Sequence, residues 1–136
     1  MKRFLLDSNI CIFLIKGQYE IHKKIEKVGI QNCLISEITV AELKYGIENS
    51  NKIENMRVIV EALISKFATI PIYNSLDIYA KEKAKLRRRG LMIDDFDILI
   101  GATAIANDMI MVTNNVGHFD RLDKIIIEDW TVLAKK

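Results

Sequence analysis

Three aspartates, Asp94, Asp95 and Asp97, crowd into four positions of "IDDFDILIGATAIA" (residues 93–106), at the head of an almost wholly apolar run. An acid at or just inside a helix N-terminus meets unpaired amides and the positive end of the helix dipole. Capping therefore accounts for Asp94, expected to accept from the Asp97 amide, and for Asp95. It does not account for Asp97. The helix after it is polar only at Thr103 before Asn107, and at about 100° per residue Thr103 falls well away from Asp97. Gly101 and Ala104 share the face of Asp97 and let another element approach closely, so this carboxylate is expected to be partly buried.

Asp97 needs partners, and the elements that must deliver them are legible as short apolar runs alternating with helical periods. "RFLL" reads as a strand ending at Asp7, followed by "SN" as helix cap and "ICIFLI" as a short helix closed by Gly17. "NCLIS" reads as the second strand. In "EITVAELKYGIENS", Thr39 and Glu42 have capping-box spacing, and Val40, Leu43 and Ile47 form one face. Residues 51–67 place Ile53, Met56, Ile59, Val60, Leu63 and Phe67 at amphipathic helical spacing. "ATIPI" is a third strand, and residues 75–89 form a helix with a basic C-terminal half that stops at Gly90. "MIMVT" and "IIIEDW" are β-branched runs of the kind covered on both faces of a sheet. Strands alternating with helices imply an α/β fold with a parallel sheet.

Ligand sites in such sheets lie beyond the carboxyl ends of the strands. Asp7 ends strand 1, Glu42 lies in the helix after strand 2, and Asn115 of "VTNN" follows the strand after the Asp97 helix, so these groups converge. Two carboxylates about 5 Å apart repel by roughly 3 kcal/mol at an effective dielectric of 20. A divalent cation removes that cost, and an all-oxygen acidic ligand set favours Mg²⁺ or Mn²⁺ over zinc. Such ions assist displacement at phosphorus, which points to a metal-dependent phosphodiesterase or nuclease.

The pieces "LDSN", "SEITVAELKYG", "IDDFDILIGATAIA" and "MVTNNVGHF" together resemble the PIN-domain ribonucleases, specifically the VapC-type toxins of bacterial toxin-antitoxin pairs. The resemblance runs from "LLDSNICIFLIKG" to "IEDW". It implies a five-stranded parallel sheet flanked by helices, with one PIN domain over residues 1–136. It implies that Asp7, Glu42 and Asp97 are the acidic metal site and that Asn115 is a fourth site residue. It also implies an RNA substrate, with tRNA as one candidate, a homodimer, and inhibition by a cognate antitoxin that inserts into the active-site groove. This chain departs from many relatives in having Ser8 for threonine and Gly101 for alanine, and from some in having Asn115 for a fourth aspartate. An amide at 115 keeps an oxygen but loses a charge, which weakens the case for a second metal. Asp94 is an extra acid nearby.

Composition limits the alternatives. A formal charge of +2 over 136 residues does not mark the whole chain as a nucleic-acid binder, so any basic surface must be local. "KEKAKLRRRG" is the candidate, either as an RNA-phosphate contact or as a solvated helix end. "HKKIEK" (residues 22–27) reads as surface. His118 lies beside the proposed site, yet with only His22 for company it forms no Ser-His-Asp set. Ser8 reads as a cap or a hydroxyl near the metal, and "ICIFLI" as core or oligomer surface. Cys11 and Cys33 lack zinc-site spacing and suit a reduced, cytoplasmic setting. Asp7, Ser8 and Asn9 interrupt the N-terminal apolar stretch, which rules out a membrane span. The alternatives are a PIN nuclease of RNA processing and a receiver-like Mg²⁺-binding signalling domain. The second is disfavoured because "ATIPIYNS" supplies no mid-chain phosphoaccepting aspartate.

Overall fold

The computed structural model describes residues 2–132. Five strands, β1 (Phe4–Leu6), β2 (Cys33–Ser36), β3 (Ala68–Ile70), β4 (Ile110–Val112) and β5 (Ile126–Glu128), form one parallel sheet in the order β3-β2-β1-β4-β5. Seven α-helices flank it: α1 (Ser8–Ile15), α2 (Ile21–Val28), α3 (Glu37–Glu48), α4 (Ile53–Lys66), α5 (Leu76–Arg89), α6 (Asp95–Ala106) and α7 (Val116–Phe119). The chain reverses direction across the sheet on either side of β1, which puts the carboxyl end of β1 at the switch point where α/β sheets bind ligands.

The sheet sorts its side chains by the two-residue period of a strand. Phe4 and Leu6 of β1, Cys33 and Ile35 of β2, and Ile110 and Val112 of β4 join one core with Ile10, Leu43, Ile47, Val60 and Trp130. Leu5 and Met111 face the opposite core, with Leu86, Ile98, Ile100 and Phe119. Both cysteines are free and buried. Among the described residues, no helix is long and apolar enough to cross a membrane.

Several local expectations change. Asp7, rather than the following "SN", caps α1: its carboxylate accepts from the Ser8 amide at 2.8 Å. Ser36, rather than Thr39, caps α3, accepting from the Ile38 amide at 3.1 Å. Thr39 is buried inside the helix, and Glu42 is released from any capping box. Residues 22–27 fall within α2, a helix that the sequence reading left out. Ile21 and Ile25 bury one face, and entry is through Tyr19 and Glu20 at φ 57° and 53° without a side-chain cap. In α4, Val60 and Leu63 are buried whereas Ile53 and Ile59 are exposed, so the apolar face is narrower than the spacing suggested. β5 is an edge strand with Ile126 63% exposed and is not covered on both faces.

The close approach expected at Gly101 is present. A Cβ there would run into Leu122 and stand 3.4 Å from Phe119 and 3.5 Å from Ile125. This contact packs the segment after β4 against the Asp97 helix. Leu122 meets the added carbon with the end of a flexible side chain, so Gly101→Ala trades repacking against better helix propensity and should shift stability by no more than about 1 kcal/mol. Gly101→Val adds two further carbons and should cost about 2 kcal/mol or more in urea unfolding.

Candidate active site

Leu6 pairs with Val112 in register, so the next residues, Asp7 and Thr113, emerge side by side beyond the two central strands. The Asp7 amide continues the ladder to the Val112 carbonyl at 2.9 Å, and the Thr113 amide donates to Glu128 at 3.1 Å. Both side chains are buried. Thr113 Oγ1 donates to Asp7 Oδ2 at 2.8 Å and accepts from the Asn115 amide at 3.0 Å, which links the Asn115 backbone to the Asp7 carboxylate. With Ser8 holding Oδ1, the Asp7 carboxylate is fixed at both oxygens. Thr113 is the site residue that the sequence reading missed; its signal was a hydroxyl at the end of an apolar strand, two residues before Asn115.

Glu42 reaches the same end of the sheet from α3. Its Oε1 accepts from Ser8 Oγ at 3.1 Å, so Ser8 touches both acids, one through its amide and one through its hydroxyl. Asp97 lies in the first turn of α6 with its side chain 21% exposed, the partial burial expected of it. Asn115 sits at the N-cap position of α7, and its Nδ2 donates to His118 Nδ1 at 2.8 Å. The same ring nitrogen stands 3.7 Å from Asp97 Oδ2.

The three aspartates at residues 94–97 separate into distinct roles. Asp95 is bound to α5, with Lys83 at 2.8 Å and the Tyr79 hydroxyl at 2.9 Å, and these partners hold its carboxyl below the usual range. Asp94 occupies the N-cap position but makes no side-chain cap bond, so the expected bond to the Asp97 amide is not formed. Its charge bears on Glu42 and Asp97 instead.

Burial is the main cause of a raised pKa at Asp7, Glu42 and Asp97. Neighbouring acids add to it: Asp97 acts on Asp7; Asp7, Asp97 and Asp94 act on Glu42; Asp94 acts on Asp97. Hydrogen bonds from Ser8 and Thr113, and the proximity of His118 to Asp97, offset only part of the shift. No lysine or arginine is among the causes at any of the three.

Among the described residues, no three Asp, Glu, His or Cys side chains are arranged to hold a metal ion as they stand. Asp7 is turned to Ser8 and Thr113, Glu42 to Ser8, and Asp97 toward His118. The donor chemistry nonetheless fits a hard divalent cation: the acids are all-oxygen donors, mutually repelling and without a protein cation to balance them.

This electrostatic arrangement has a signed consequence for stability. A carboxyl whose folded pKa lies above its unfolded value favours folding when protonated, so the penalty is present at neutral pH and is relieved as pH falls through the raised values. Without added divalent cation, the protein should therefore lose less stability than an ordinary acid-labile domain as the pH falls below neutral. Asp97→Asn removes part of that protection, so its stability should fall more steeply over the same pH range than that of the wild type, as measured by denaturant unfolding at each pH.

The basic run is divided as well. Lys83, Lys85 and Arg89 are committed to Asp95, Glu82 and Asp123, whereas Lys81, Arg87 and Arg88 are exposed and in no ion pair among the described residues. Glu82 is buried and also accepts from the Asp123 amide at 2.6 Å, tying α5 to the turn before β5.

A PIN-domain family model matches residues 4–125. The tRNA(fMet)-specific endonuclease VapC of Salmonella typhimurium is 34% identical over 131 residues, covering 96% of this chain and 99% of that protein. Ribonuclease VapC2 of Rickettsia felis is 33% identical over 130 residues, covering 93% and 97%. The crystal structure of DNA-bound VapBC from Salmonella typhimurium matches with a TM-score of 0.89 at 33% identity, over 96% of this chain and 99% of that one. With its sheet order, its acids at the carboxyl ends of the central strands and these matches over nearly its whole length, the chain belongs to the PIN-domain family, among the VapC ribonucleases.

Proposed function

We propose that this chain is the toxin of a type II toxin-antitoxin pair, a Mg²⁺- or Mn²⁺-dependent endoribonuclease in which Asp7, Glu42 and Asp97 hold the cation and Asn115 orients water or metal. The observation that carries the reading is the meeting of Asp7, fixed by Ser8 and Thr113, with Glu42 and Asp97, all three with raised pKa and none balanced by a lysine or arginine. When bound, the cation would lower the pKa of a water and stabilise charge on the phosphodiester.

The chain's own groups supply position. Thr113 and the Ser8 amide fix the orientation of Asp7, so only its remaining lone pairs face the site. The Ser8 hydroxyl steadies Glu42, and the first turn of α6 presents Asp97 to the site. Asn115, bonded to His118 through Nδ2, keeps its amide oxygen available as an acceptor or ligand.

The substrate is RNA, and tRNA is the first class to test, since the Salmonella typhimurium relative is named for tRNA(fMet). We further propose one PIN domain throughout residues 1–136, a cytoplasmic location, a homodimer, and a cognate antitoxin that covers the active-site groove. Sequencing of RNA 5′ and 3′ ends after induction tests the reading. Discrete new ends with the wild-type chain, absent with Asp7→Asn and suppressed by co-expression of the adjacent reading frame, are expected. Identical RNA ends for wild type and Asp7→Asn would remove it.

A further inference from the structure

A cavity of about 550 Å³ opens beside the acids, and Ser8 and Glu42 belong to its wall. Its size falls within the roughly 300–1,000 Å³ of small-molecule sites. The lining is largely apolar, and two aromatic rings contribute to it: Phe96, 44% exposed, and Tyr45, 68% exposed. Neither ring belongs to either hydrophobic core, and neither pairs with another aromatic among the described residues.

Their placement follows the acids. Phe96 immediately precedes Asp97 in the first turn of α6, and Tyr45 lies three residues after Glu42 on α3. Each helix that brings an acid to the site thus also brings an aromatic ring to the cavity within one turn. Lys16 lines the same cavity and supplies a cation. Two large rings so far exposed leave apolar surface in water that the two cores do not use.

We propose, building on the ribonuclease reading, that Phe96 and Tyr45 take the unstacked base of a nucleotide next to the scissile phosphate, with Phe96 as the stacking surface. Single-stranded RNA is recognised chiefly by splayed bases stacked on aromatic side chains, and such stacking tolerates any base because each has a π-face. A phosphate held at the acids brings its flanking base to a cavity that shares Ser8 and Glu42 with them. Lys16 would meet a neighbouring phosphate. Cleavage would accordingly require an unpaired nucleotide at the cut.

The test uses a short RNA carrying 2-aminopurine beside the mapped cleavage position, bound to full-length Asp7→Asn protein, together with cleavage kinetics in the Asp7 background. Binding should change the fluorescence, and Phe96→Ala should abolish the change. In the cutting protein Phe96→Ala should raise KM about 10- to 100-fold, Tyr45→Ala less, and Phe96→Trp should restore it. Tyr45→Ala should leave thermal unfolding nearly unchanged, and Phe96→Ala, which loses a ring only partly exposed, should lower it modestly, with Phe96→Trp restoring binding and KM. Wild-type protein that cuts RNA normally, with Phe96→Ala and Tyr45→Ala unchanged in KM and fluorescence, overturns this proposal alone. Alanine variants that lose only affinity for a protein partner also overturn it and assign the rings to that partner. Wild-type protein that neither binds nor cuts RNA overturns both readings.

Discussion

Asp97→Asn should lower RNA cleavage by at least about three orders of magnitude while leaving the protein folded and slightly more stable. The loss is large because, on the proposed reading, a carboxylate that helps hold the cation is replaced by a neutral amide, and removing one member of a cooperating set costs nearly as much as removing all. The gain in stability has a separate cause. Burial and Asp94 press on the Asp97 charge, the 3.7 Å approach of His118 offsets only part of that pressure, and no hydrogen bond to the backbone would be broken. Relief of repulsion on the order of 1 kcal/mol is expected. Asp7→Asn should be as inactive but not stabilised, because both Asp7 oxygens accept hydrogen bonds, from the Ser8 amide and the Thr113 hydroxyl. Opposite effects on activity and stability at 97, with loss of activity but no gain in stability at 7, separate an acid that serves function alone from one that also holds the local structure. Cleavage assays and urea unfolding of the three proteins check both halves.

Removal of divalent cations should abolish cleavage, with Mg²⁺ or Mn²⁺ restoring it and Ca²⁺ restoring less. It should also change the protein itself. An ion that binds only the folded chain stabilises it by about 2.7 kcal/mol at a hundredfold excess over its Kd, so melting should rise by several degrees on adding Mn²⁺. Raised pKa values at Asp7, Glu42 and Asp97 add a pH dependence of known sign. Protons and metal compete for the same oxygens, so the Mn²⁺-induced shift should shrink as the pH is lowered. A shift of equal size in Asp97→Asn would place the ion elsewhere. Melting curves with and without Mn²⁺ at several pH values provide the measurement.

Much of the frame was legible because strand alternation and helix period are written in the spacing of apolar residues. Phe4, Leu5 and Leu6 divide between the two cores as a strand buried on both faces must. Asp97 was legible for a different reason: it was the polar residue that neither capping nor an amphipathic face explained. The misreadings came where several residue types satisfy one local rule. Asp7, Ser8 and Asn9 are all good caps, and only the register of β1 selects Asp7. Thr39 and Glu42 have the right spacing for a capping box, yet Ser36 lies where β2 ends. α2 begins through two residues in the left-handed region with no capping side chain, so it carries no start signal. The β-branched run of β5 resembles a central strand because its edge position is set by the order of the sheet, a tertiary property. Thr113 was missed because a hydroxyl at the end of a strand is common; its role depends on Asp7, more than a hundred residues earlier in the chain, standing next to it.

The central claim is that Asp7, Glu42 and Asp97 share one divalent cation, although Ser8 and Thr113 hold Asp7, Ser8 holds Glu42, and Asp97 stands toward His118. Electron paramagnetic resonance titration with Mn²⁺, counting ions bound per chain in the wild type and in Asp7→Asn, Glu42→Gln and Asp97→Asn, addresses it most directly. The account predicts one tightly bound ion per wild-type chain and a weakening of at least tenfold in each variant. Undiminished binding in all three variants, or RNA cleavage by wild-type protein that binds no ion, would contradict it.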